Sequence, residues 1–100
     1  MTRDELKARW LALPPLVRAG VAAGMAAAAA DRAGKCYSFA HDDRELGMER
    51  RAHVGRAQGA AHVVIRDWFA LLANEADAEA VERGIDADTD GAALAGEGGE

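Results

Sequence analysis

One hundred residues suffice for one domain, and alanine, the best helix former, makes up a quarter of them. The single cysteine, Cys36, excludes an intramolecular disulfide, and the first residues lack the basic start and apolar stretch of a signal peptide. The longest uncharged stretch, residues 19–30, is shorter than the roughly 20 residues that a membrane-spanning helix requires. The composition therefore predicts an all-α cytoplasmic protein with a thin core.

The net charge of −5 is divided unevenly along the chain. Residues 1–73 hold eleven basic and eight acidic groups, whereas residues 74–100 hold one basic and nine acidic groups. A mildly basic body is thus followed by a strongly acidic segment, and this asymmetry favours an electrostatic role for the acidic part.

A capping box formed by Thr2 and Glu5 predicts a first helix over residues 3–12. Pro14 and Pro15 must end that helix, because proline lacks the amide hydrogen and disfavours helix in the residue before it. Pro15 in turn suits the first position of a new helix.

The second helix is predicted over residues 15–33, with Gly34 as its C-terminal cap. Residues 35–39 then read as a short connector whose two aromatic side chains plug the end of a helical hairpin. A second capping pattern at Asp42 predicts a long third helix from there to residue 73.

A last short helix is predicted over residues 77–83, capped by Gly84. From residue 86 onward Gly, Asp, Ala and Glu dominate, a composition typical of disordered segments. The predicted organisation is a helical domain over residues 1–85 and a flexible acidic tail over residues 86–100. The domain is expected to be a helical hairpin or a small three-to-four-helix bundle with one long helix.

The long helix has two distinct faces when its residues are placed at 100° intervals. Its large apolar residues fall within one arc, which is predicted to face the first two helices. This arc comprises Leu46, Val54, Ala57, Ala61, Val64, Ile65, Trp68, Leu71 and Leu72. Arg50 falls inside the same arc and is predicted to need a partner, such as Asp31 or the carbonyls of a helix end, to offset its desolvation.

The opposite face carries basic and small residues and is predicted to bind a protein partner. The candidate partner-binding residues are Arg44, Met48, Arg51, Gly55, Gly59, His62, Arg66 and Phe69. Gly55 and Gly59 are four residues apart, a spacing that lets helix backbones approach closely. Because both lie off the apolar arc, they favour docking of this face in a homodimer.

Nucleic-acid binding is an alternative function for the same face, with Arg44, Arg51 and Arg66 contacting phosphates. The other alternative is that this face is only solvated and binds nothing, since few cations are aligned and the whole chain is acidic.

Residues 86–97 fit the EF-hand calcium-loop pattern D-x-[DN]-x-[DN]-G-x5-E. The candidate ligands of a weak Ca²⁺ site are Asp86, Asp88, Asp90 and Glu97. Only three residues follow Glu97, so no exiting helix can complete the motif, and no metal binding is expected at physiological strength.

Enzymatic activity and cofactor binding are not expected. His53 and His62 lie nine residues apart and point to opposite sides of a helix, and one cysteine with a distant histidine is uninformative. The leading function is therefore a small regulatory or inhibitory protein–protein interaction module that binds its partner through the long helix.

Overall fold

The protein is all-α, as the composition predicts. The computed structural model describes residues 1–84, which form three α-helices and contain no strand. These helices are α1 (Arg3–Ala12), α2 (Pro15–Glu45) and α3 (Glu49–Glu82). The predicted acidic tail lies outside the described residues.

The first helix begins and ends where the sequence predicts. Thr2 Oγ1 accepts a hydrogen bond of 3.2 Å from the Glu5 amide, and Glu5 Oε2 accepts one of 3.4 Å from the Thr2 amide. The backbone turns extended at Leu13, immediately before Pro14, and helix α2 starts at Pro15. Helix α1 contains no buried residue, so its own core contribution is small.

The second helix is much longer than predicted. The chain stays helical through Gly34 and through the predicted connector 35–39, and α2 ends at Glu45. A glycine inside a helix costs only about 1 kcal/mol relative to alanine. Buried alanines continue on both sides of Gly34 and offset that cost. The predictions of a cap at Gly34 and of a helix start at Asp42 are therefore wrong.

The break between the two long helices is a glycine turn at Gly47, whose φ of 76° lies in the left-handed region. The Gly47 amide donates to the Arg44 carbonyl at 3.0 Å, and the Met48 amide donates to the Asp43 carbonyl at 2.8 Å. This pair of bonds is the Schellman motif, which satisfies the last carbonyls of a helix when glycine follows it.

In place of the two helices predicted over residues 42–73 and 77–83, the structure has one continuous helix, α3. It begins at Glu49 and continues without interruption to Glu82. The cap predicted at Gly84 is confirmed: its φ is 68°, and its amide donates to the Val81 carbonyl at 3.0 Å.

The chain divides into two compact units. One unit comprises Met1–Ala22 and the segment from Leu72 onward, and the other comprises Ala23–Leu71. We refer to them as the terminal unit and the hairpin unit. The hairpin unit contains most of α2, the Gly47 turn and the first two thirds of α3.

Most of the residues that α2 and α3 bury against each other are small, and they recur at alternating intervals of three and four, the heptad spacing of coiled coils. We call these positions the inner seam. In α2 they are Ala19, Ala22, Ala26, Ala29, Ala33, Cys36 and Ala40, and in α3 they are Ala52, Gly55, Gly59, His62, Arg66, Phe69, Ala73, Ala76 and Ala80; all of them are buried or half-buried.

The apolar arc of the long helix does not form the core, so the predicted assignment of its faces is wrong. All of its members are exposed except the half-buried Leu72. Within residues 1–84, every buried hydrophobic residue that lies on these seams is an alanine. Small side chains at heptad spacing allow the helix backbones to approach, and this close approach selects the small face over the large apolar one.

The terminal unit is held by a buried cation. Arg18 is only 5% exposed, and its Nη2 lies 2.5 Å from Glu79 Oε2. Its Nε donates to the Leu13 carbonyl at 3.1 Å, which ties the start of α2 to the end of α1. The hydrogen bond from Arg18 is the main cause that lowers the pKa of Glu79 below 4.5, and the nearby Arg83 contributes to it.

Among residues 1–84, no single helix is long and apolar enough to cross a membrane. Helices α1 and α2 reach that length and composition only when they are taken together, and they are bent by 117° at the break between them.

Candidate protein-interaction surface

The exposed side of α3 carries a second stripe with heptad spacing, which we call the outer seam. Its members alternate at intervals of three and four residues, like those of the inner seam, and all are exposed. They are Val54, Ala57, Ala61, Val64, Trp68 and Leu71. The four large side chains among them are 68% (Val64), 58% (Trp68) and 49% (Val54 and Leu71) exposed. A long helix with apolar residues on opposite sides can pack against two different elements.

The eight predicted partner-binding residues are divided between two environments. Arg44, Met48 and Arg51 are exposed and lie close to the Gly47 turn. The other five occupy consecutive positions of the inner seam. Of these, Gly59 is buried, whereas Gly55, His62, Arg66 and Phe69 are half-buried.

The two glycines of this set have a packing role inside the hairpin unit. A Cβ at Gly55 would lie 3.0 Å from Ala40 Cβ and 3.4 Å from the Cys36 carbonyl oxygen. A Cβ at Gly59 would lie 2.9 Å from Cζ of Tyr37, whose ring covers that position. The glycines therefore admit α2, and the sequence interpretation that they lack an intramolecular reason is wrong.

Two of the three arginines considered for phosphate binding have carboxylate neighbours. Arg51 Nε lies 3.8 Å from Asp43 Oδ2, and Arg66 Nη2 lies 2.8 Å from Asp67 Oδ1. Arg44 is exposed. Such pairing reduces the positive charge that this face offers to a polyanion, because counterion release depends on cations that are free to neutralise phosphates.

An apolar cleft of about 490 Å³ opens in the hairpin unit, beside the Gly47 turn. Its lining consists of Cys36, Phe39, Asp43, Arg50, Arg51, Val54, Gly55 and Gln58. Phe39 is 67% exposed and does not plug the hairpin end, in contrast to the sequence interpretation.

Arg50 needs no intramolecular partner, since the arc to which it belongs is exposed. The predicted partner, Asp31, instead forms an ion pair with Lys35, with Nζ and Oδ2 separated by 3.1 Å. Arg50 lines the rim of the cleft together with Arg51, and Asp43 is the carboxylate on the same rim.

No group of three or more His, Cys, Asp or Glu side chains within residues 1–84 is placed to hold a metal ion. The four candidate calcium ligands, which are Asp86, Asp88, Asp90 and Glu97, lie outside the described residues.

Comparisons with known proteins give no relative of this chain: no family model, no curated protein and no solved structure matches it. The assignment of function therefore depends on the surface itself.

Proposed function

We propose that the chain is a small, non-enzymatic regulatory or inhibitory module that binds another protein through the long helix α3 and the cleft beside it. One observation carries this proposal. Across residues 1–84, sixteen large hydrophobic residues are exposed, whereas the nine buried hydrophobic residues of the core are all alanines. Five of the exposed residues, Val54, Val64, Ile65, Trp68 and Leu71, share one face of α3, and an exposed apolar patch of this kind is the usual mark of an interaction site.

The cleft in the hairpin unit is the part of this surface best suited to a partner. It combines the exposed ring of Phe39 and the exposed side chain of Val54 with charged groups. These are the guanidinium groups of Arg50 and Arg51 and the carboxylate of Asp43. An apolar pocket with a cationic rim favours a protein segment that inserts one large apolar side chain next to an acidic residue. Leu46 and Met48, on either side of Gly47, are exposed by 72% and 42% and add apolar surface at the turn.

A module with this surface acts by occupying its partner. Hot-spot anchors in protein interfaces are large apolar or aromatic side chains surrounded by polar groups that exclude water. Phe39 has that character, and Arg51 supplies the polar rim. The pairing of Arg51 and Arg66 with carboxylates favours a protein partner over nucleic acid.

The test is affinity capture from a lysate of the native source with the full chain, followed by direct binding measurements on any captured protein. We expect Phe39→Glu to lose the partner, because it places a charge on the apolar anchor. Leu6→Glu is the matched control, since Leu6 is 54% exposed on α1 and does not line the cleft.

Nuclease treatment of the lysate separates the two classes of partner. Capture that survives nuclease and depends on Phe39 supports the proposal. Capture that nuclease abolishes favours the nucleic-acid alternative, and equal capture by the parent chain and Phe39→Glu contradicts the proposed cleft.

A further inference from the structure

We propose that the outer seam of α3 pairs with the same seam of a second copy, so that two α3 helices run antiparallel about a two-fold axis that passes between Ala61 and Val64. This inference goes beyond the proposed function, because its partner is a second copy of the chain; of the six outer-seam residues only Val54 also lines the cleft. It also replaces the predicted homodimer face, since Gly55 and Gly59 lie against α2.

The spacing of the outer seam is the first argument. Residues 54, 57, 61, 64, 68 and 71 repeat at intervals of three, four, three, four and three. Such alternation keeps a stripe of side chains facing one partner helix along five turns. In the part of the chain that the structure describes, all six of these residues are exposed. A helix partner is therefore the occupant that this spacing fits.

The order of the residues is self-complementary, which is the argument for a second copy. Antiparallel pairing about the proposed axis sets Ala57 opposite Trp68 and Ala61 opposite Val64. In the remaining pair, Val54 of one copy lies opposite Leu71 of the other, and these two side chains are similar in size. Each pair occurs twice by symmetry, as an isologous interface requires. An alanine faces a larger side chain in the pairs Ala57/Trp68 and Ala61/Val64, so the side chains can interdigitate.

The charges at the ends of the seam fit the same register. Arg50 lies four residues before Val54, and Glu75 lies four residues after Leu71, so both continue the spacing of the seam. The antiparallel register sets Arg50 of one copy opposite Glu75 of the other, at both ends of the interface. Arg50, which is anomalous within an apolar arc of the single chain, gains a partner of opposite charge in the pair.

The flanking positions do not oppose this arrangement. In the proposed register, Asp67 lies beside Ala60 of the second copy, and His53 lies beside Asn74. No like charges meet at these positions, whereas a parallel in-register pairing of two α3 helices sets Arg50 opposite Arg50 and Glu75 opposite Glu75. The charges therefore select the antiparallel orientation.

The exposed area is of the right size for a small specific interface. Val54, Val64, Trp68 and Leu71 each expose between 49% and 68% of their surface, and the adjacent Ile65 exposes 43%. Together with the alanines and the flanking polar groups, these side chains offer several hundred Å² per copy. Specific dimers bury on the order of 600–1,000 Å² on each partner.

The first experiment measures the mass of the full chain by sedimentation and light scattering at concentrations from micromolar to about 100 µM. We expect a dimer for the parent chain and a monomer of unchanged helical circular dichroism for Val64→Glu. Val81→Glu is the matched control, because Val81 is 79% exposed on the same helix but lies off the seam, and it should remain dimeric.

The second experiment tests the register by charge reversal. Arg50→Glu and Glu75→Arg should each weaken the dimer on the order of ten-fold, since each places two like-charged contacts in the interface. The double variant should restore the parent affinity. Arg50 also lines the cleft, so the measurement is the dimer affinity of the isolated chain, in which no other partner is present, and Phe39 stays unchanged.

Three results would overturn the proposal. The parent chain could be monomeric throughout the concentration range, or Val64→Glu could dimerise as tightly as the parent. Failure of the double variant to recover, with each single variant folded and weakened, would exclude the antiparallel register.

Discussion

The two seams of α3 have the same spacing and opposite composition. The inner seam consists largely of alanine and glycine and packs within the chain, whereas the outer seam carries valine, leucine and tryptophan and is exposed. In an isolated domain, burial of the larger side chains would bring more hydrophobic stabilisation. The reverse arrangement indicates that intramolecular packing here depends on close backbone approach, which leaves the large side chains of α3 exposed.

The largest effect is expected where a side chain is added to the inner seam. Gly55→Leu should destabilise the fold by about 2 kcal/mol, because overpacking against Ala40 and the Cys36 carbonyl outweighs the gain in helix propensity. The measurement is urea unfolding followed by circular dichroism. Gly24→Leu is the matched control, since nothing lies within 4 Å of a Cβ at that helical glycine.

The Gly24 control should be stabilised by up to about 1 kcal/mol, so that the two glycine variants change stability in opposite directions. Equal effects of the two substitutions would show that α2 does not approach α3 at Gly55, and the contrast between the seams would fail.

An intermediate effect, and one that depends on pH, is expected at Glu79. Its folded-state pKa is lowered from 4.5 by the hydrogen bond from Arg18. The pair therefore contributes stability above pH 4.5, and this contribution is lost as the pH falls through the lower folded-state pKa. Glu79→Gln should be less stable than the parent near pH 7, and the difference should shrink on acidification.

Thermal unfolding of the parent and Glu79→Gln between neutral pH and pH 3 measures this dependence. Asp77→Asn is a suitable control, because Asp77 is an exposed carboxylate on the same helix. A difference that stays constant over the pH range would mean that the Arg18 contact does not depend on the charge of Glu79.

The smallest effect is expected for truncation of the outer seam. Val64→Ala should change the unfolding free energy of the single chain by less than about 0.5 kcal/mol, since Val64 is 68% exposed and alanine is the better helix former. The measurement must use a concentration at which the chain is monomeric. A loss of about 1 kcal/mol or more there would place Val64 in an intramolecular core.

The ends of the helical segments could be predicted better than their faces. The Thr2 cap, the proline break and the Gly84 cap are local signals, and each of them holds in the structure. Gly34 resembles an equally good stop. It fails because the alanines on either side of it pack at heptad spacing, and this tertiary contribution exceeds the local cost of a helical glycine.

The candidate site was harder to predict because residue size was used as the guide to burial. Val64, Trp68 and Leu71 are larger and more apolar than Gly59 and Ala73, so a search for a conventional core selects the outer seam. The regular recurrence of small residues was visible in the sequence, since a heptad of alanine and glycine is as periodic as one of leucine. The cleft could not be predicted, because it requires the Gly47 turn and the antiparallel placement of Phe39 beside Val54.

The alanine-rich inner seam also affects the heat-capacity change of unfolding. Alanine has no rotamer freedom to lose on burial, so the helices can associate at a low entropic cost per residue. It also removes little apolar surface from water, and the heat capacity of unfolding scales with that surface. The single chain should therefore unfold with a heat-capacity change below the usual 12–15 cal/mol/K per residue. Its stability curve is correspondingly shallow, varying little between cold and warm conditions, and a large heat-capacity increment would enter only when the outer seam is covered.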